Sequence, residues 1–156
     1  GDVDAYLSGE PLPAQAVQRG VGRILVYPYF DDSIGTVNSG LIVRRELVIN
    51  DPERVQRMVA AHKRATELLR TDPRRWLDAA ARLTGLEREL LAQAAPNMEL
   101  TWDMDTSFLR RLAALGARMK TLGLIAREPD YAALVDTRFV DALRTPSAGA
   151  SAPEAR

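Results

Sequence analysis

Apolar and polar positions change rhythm near Arg45. Before it, residues 3–7 (VDAYL), 22–27 (GRILVY) and 38–43 (NSGLIV) are short apolar runs, and Gly or Pro28 punctuates them. Such runs predict three strands. Residues 10–19 predict a short helix, with Pro11 and Pro13 near its start where a missing N–H is tolerated. Gly20 and Gly22 punctuate its end, and residues 31–35 (DDSIG) read as a loop. Strands separated by helix or loop point to an α/β sheet rather than to hairpins.

After Arg45 the pattern is helical almost throughout. Asp51-Pro52-Glu53 combines an N-cap, a first-position proline and an acid in the first turn. Val55, Met58, Val59, His62, Ala65 and Leu69 then share one face at helical spacing. Asp72-Pro73 repeats the start, with Trp76, Leu77, Ala80 and Leu83 following. Thr84 and Glu87 have capping-box spacing for a further helix ending at Pro96. Asp105 or Thr106 can cap a long helix with Phe108, Leu109, Leu112, Leu115 and Met119 inward, ended by Gly123. Residues 131–135 and 138–143 predict two short terminal helices.

Composition narrows the function classes. The 156 residues are 46% hydrophobic and 27% charged, as in a globular chain. Lys plus Arg equals Asp plus Glu at 21 each, so nothing favours a nucleic-acid partner. Without cysteine there is neither a disulfide nor a thiolate metal site. The opening Gly1-Asp2-Val3-Asp4 carries neither Met nor a signal peptide, which reads as a truncated start. Residues 145–156 (TPSAGASAPEAR) have too little apolar surface to offset ordering entropy and read as a loose, disordered tail. Three strands before so many helices lack the partners to bury both faces of a sheet, a second sign that part of the fold is missing.

The ordered series of segments carries a resemblance. It comprises Val3-Asp4-Ala5 with Gly9-Glu10-Pro11; Ala14-Gln15-Ala16-Val17 with Gly20-Val21-Gly22; Ser39-Gly40-Leu41-Ile42-Val43 with Asn50-Asp51-Pro52-Glu53; and Leu122-Gly123-Leu124-Ile125 with Asp136 and Phe139-Val140. In this order the chain resembles the C-terminal half of ABC-transporter periplasmic solute-binding proteins for nitrate, bicarbonate, sulfonates, taurine and thiamin pyrimidine precursors. The resemblance implies part of a two-lobed α/β fold, periplasmic-binding-protein-like type II, with a helix-rich C-terminal portion. On that plan residues 1–26 end the second lobe, 27–37 form the crossover and hinge, and 38–144 return to the first lobe. It implies solute capture by hinge closure, a membrane permease and the missing N-terminal half as partners, no cofactor, and a periplasmic or extracytoplasmic setting with or without a lipid anchor. In the nitrate and bicarbonate branch Gly-Glu-Pro is followed by Trp-Asn; Leu12 and Pro13 stand here instead, which implies a larger or more apolar solute.

Four positions are candidate ligand contacts. Glu10 follows a strand end, where open α/β sheets bind ligands, and also reads as a helix-start acid interacting with backbone N–H groups. Asn38 and Ser39 begin the strand after the crossing and can donate to a solute or finish a turn. Tyr27, with Tyr29 across Pro28, can line the cleft or brace the hinge. His62, the one histidine, lies on an apolar stripe, and no ligand pair at metal spacing accompanies it. Trp102-Asp103-Met104-Asp105 brings two acids close together, a conceivable cation site that helix capping by Asp105 also explains. There is no glycine-rich phosphate loop and no nucleophile elbow. The alternatives are a pyrimidine-synthase-like enzyme of the same fold, which needs a histidine-rich site absent from these residues, and a non-catalytic helical interaction module.

Overall fold

The computed structural model describes residues 2–28, 37 and 39–144. Among them the regular structure is helical: α1 (Leu12–Gln18), α2 (Arg45–Asn50), α3 (Pro52–Thr71), α4 (Pro73–Thr84), α5 (Arg88–Ala94) continued by a 3₁₀ turn (Ala95–Asn97), α6 (Thr106–Thr121), α7 (Tyr131–Leu134) and α8 (Arg138–Arg144). The chain divides into two compact units. One holds residues 2–28 and 65–101, the other the described residues of 29–64 and 102–144. The loop at 31–35 and the tail at 145–156 lie outside the described residues.

The three predicted strands do not form among the described residues, whose architecture is helix-rich. The reason is physical. β-Branched composition suits a pleated, half-buried surface but does not supply the neighbouring strand that accepts the ladder hydrogen bonds. The apolar side chains of these segments stay in solvent: Val3, Tyr6, Leu7, Leu25, Val26, Leu41 and Ile42 are all more than half exposed, Ile42 at 99%.

Helix boundaries follow local chemistry closely. Asp51 accepts from the Arg54 N–H at 3.0 Å and opens α3. Asp72 accepts from the Arg75 N–H at 3.1 Å and opens α4; Asp105 accepts from the Phe108 N–H at 2.7 Å and opens α6. At the other ends, Gly20 and Gly123 take positive φ, 67° and 71°. After α6 the Gly123 N–H donates to the Lys120 carbonyl and the Leu124 N–H to that of Met119, the paired bonds of a Schellman cap. The capping box at Thr84 is a correction. Thr84 is the last residue of α4, its hydroxyl donates to the Ala80 carbonyl at 2.7 Å, and α5 starts after Glu87 without a side-chain cap. Left-handed Gly85 ends α4 first, which removes Thr84 from the next helix start.

In the first unit, Ala14 of α1 packs with Leu90 and Ala94 of α5, joined by Leu86 and Met98. Leu91 is 2% exposed. Small residues at 14 and 94 let the two short helices approach closely. On α3, Val55 and Thr66 are buried while Met58 and Ala65 are exposed, so the inward stripe is rotated from the predicted one. Leu83 is 87% exposed on the last turn of α4.

In the second unit, Gln56 donates to the Phe139 carbonyl at 3.0 Å and Lys63 to the Leu143 carbonyl at 2.9 Å. Both satisfy carbonyls of α8, whose Phe139 and Val140 are buried. Lys63 also lies over the Trp102 ring, 4.5 Å from its centroid. The inward set predicted on α6 is at least partly buried throughout, and Gly116 is buried under Tyr131. A Cβ at position 116 would meet the Tyr131 hydroxyl and lie 3.0 Å from its Cζ.

Leu91→Ala is expected to cost about 2–5 kcal/mol, whereas Leu83→Ala should stay within about 0.5 kcal/mol, read from urea midpoints at constant slope. Gly116→Ala sets a helix-propensity gain of about 1 kcal/mol against about 1–3 kcal/mol of overpacking. It should therefore destabilise the protein, yet stabilise a Tyr131→Ala background. A thermal-unfolding double-mutant cycle checks that change of sign.

Candidate functional site

Glu10 is the sequence-predicted site residue with the most structure around it. It precedes α1 through a cis peptide bond to Pro11 and is partly buried. Pro11 and Pro13 have no N–H, so the first turn of α1 presents few backbone donors. One Glu10 carboxylate oxygen, Oε2, accepts the Ala14 N–H at 3.1 Å. The other, Oε1, accepts from the Asn97 side-chain amide, also at 3.1 Å. The carboxylate thus joins the first turn of α1 to the 3₁₀ turn that follows α5. Tyr6 adds a third tie to this turn, donating its hydroxyl to the Leu12 carbonyl at 3.0 Å while its ring stays 55% exposed.

Tyr27 belongs to the same unit and is exposed. Ser39 belongs to the other unit and is exposed there. Asn38 and Tyr29 lie outside the described residues. The structure brings Asn97 to Glu10, a partner that sequence reading missed. The signal was weak: an Asn after Pro96 reads as ordinary helix-end punctuation, and the two residues are 87 positions apart.

The remaining candidates are occupied in structural roles. Asp105 caps α6, and Asp103 accepts from the Arg144 guanidinium, its Nε at 2.8 Å. Arg144 also pairs with Asp141 of its own helix. No group of three or more His, Asp or Glu side chains is gathered for a metal among the described residues. His62 is half-buried on α3. Trp76 lines an open groove of about 350 Å³ with Leu69, Arg70, Pro73, Met98 and Leu100. No helix among the described residues is long and apolar enough to cross a membrane.

Asp136, which belongs to the resembling segments, sits before α8 and takes a fork from Arg138: Nε at 2.9 Å and a terminal nitrogen at 2.7 Å. The Arg138 side-chain hydrogen bonds hold the Asp136 carboxyl below the ordinary aspartate range; burial opposes them, and the Arg138 backbone N–H and charge add to the lowering.

A model of the NMT1-like family matches residues 1–84 of the chain. No curated protein and no solved structure matches it.

Because Asp136 is held in its ionised form, its contribution to stability is present above the unfolded aspartate pKa and fades as pH falls through the lowered folded value. Carboxyl-carbon NMR should show Asp136 titrating below the ordinary aspartate value, and Arg138→Gln should raise it towards that value.

Proposed function

Since the chain belongs to the NMT1-like family, we propose that it is the solute-binding component of an ABC importer, working outside the cytoplasm and catalysing no reaction. The observation that carries this reading is the family match over residues 1–84, which spans all three apolar segments and Glu10. The exposed state of those segments supports it. Residues 3–7, 22–27 and 39–43 keep strand composition and exposed apolar side chains, the condition of strands whose neighbours lie in another part of a sheet. On this reading the partner is an N-terminal half that completes two lobes, and the solute lies between them. Hinge closure around it then presents a closed form to a membrane permease.

Glu10, Tyr27, Asn38 and Ser39 are the residues proposed to contact the solute. The solute is small, of the nitrate, sulfonate, taurine, bicarbonate or pyrimidine type. Leu12 and Pro13 after Glu10-Pro11 favour the larger or more apolar members of that range.

A thermal-shift screen of the protein carrying both lobes, against small anions, sulfonates, amines and pyrimidines, tests the proposal. A true solute stabilises the folded form by about 2.7 kcal/mol at a hundredfold excess over its Kd, so the midpoint should climb with concentration. A flat midpoint across every class at millimolar concentration rejects solute capture.

A further inference from the structure

We infer that α8 is a strap with two unlike fastenings, and that rising ionic strength releases its C-terminal turn while its N-terminal end stays down. The N-terminal end is held by burial: Phe139 and Val140 are 8% and 3% exposed. The Gln56 amide adds a neutral hydrogen bond to the Phe139 carbonyl. Neither fastening rests on a net charge that salt can screen.

The C-terminal turn is held by charge. A helix leaves its last carbonyls without donors of its own, and the Lys63 ammonium supplies one to the Leu143 carbonyl at 2.9 Å. The same ammonium lies over the Trp102 ring. The next residue, Asp103, accepts from the Arg144 guanidinium, which also pairs with Asp141. Lys63, Asp103 and Arg144 thus make a clasp from α3, the residues before α6, and α8. The Arg144 and Asp103 side chains are 35% and 36% exposed, so dissolved ions reach them. The screening length falls from about 10 Å at 0.1 M salt to about 3 Å at 1 M, shorter than the separation of most ion pairs. A seven-residue helix closes too few hydrogen bonds to persist unsupported. A loosened clasp therefore unravels the last turn, and the buried Phe139–Val140 pair acts as the hinge.

The test is amide exchange of the full chain by NMR in 0.1 M and 1 M NaCl, read as protection factors. Protection of the Leu143 and Arg144 amides should fall about two- to fivefold at high salt, the range for exposed ion pairs. The Val140 and Asp141 amides, which donate to the Thr137 carbonyl, should keep theirs. Asp103→Asn and Arg144→Gln should each give the high-salt value already at 0.1 M, and the double variant should add little to either. Lys63→Gln should cost about tenfold, as expected for a lost hydrogen bond from a charged donor. Phe139→Ala should instead lower protection along all of α8 at both salt concentrations. Leu143 and Arg144 protection that salt leaves unchanged overturns the inference. So does a fall shared equally by Val140, Asp141 and the α6 amides, or a salt response that survives in the double variant.

Discussion

A strand exists only in company: its N–H and C=O groups need a neighbour's, and its apolar face needs a surface to cover it. Residues 3–7, 22–27 and 39–43 have the composition of strands and, among the described residues, no such neighbour. Most of what distinguishes this chain follows from that. Among the described residues a small helical core is buried, while the apolar side chains of these segments stand in water. The helices do not need the sheet to define themselves, since each closes its own hydrogen bonds, whereas the strand segments cannot.

That difference also decides what could be read from the sequence. Helix starts at Asp51, Asp72 and Asp105 were legible because a cap is a contact over three residues, set by local geometry. The glycine after α6 was legible for the same reason. Burial was less so. Met58 and Leu83 have the spacing of inward residues, but spacing fixes only which residues share a face, and tertiary packing chooses which face turns in. Thr84 shows a local signal losing to a stronger one: the left-handed turn at Gly85 ends α4 immediately after it, so its hydroxyl serves the helix behind rather than the one ahead.

The candidate site divides along the same line. Glu10 was visible because Gly9-Glu10-Pro11 is a contiguous motif at the start of a helix. Asn97 was not, since nothing local marks an asparagine in a 3₁₀ turn as the partner of a carboxylate so distant in sequence. Ser39 and Tyr27 are described and exposed, and nothing in their immediate sequence marks a partner for either. The family match gives the frame in which these positions acquire a role.

The bare backbone at Gly116 has a consequence for how the second unit opens. A four-residue helix such as α7 has almost no stability of its own, because nucleation outweighs the few bonds it closes. The Tyr131 hydroxyl lies in the space a side chain at position 116 would occupy on α6 and donates to the Ala113 carbonyl, a latch between α7 and α6. Fluctuations of this stretch are therefore governed by steric room at one position rather than by helix-forming tendency. Amide exchange in α7 would report whether the latch is engaged long before the rest of the unit unfolds.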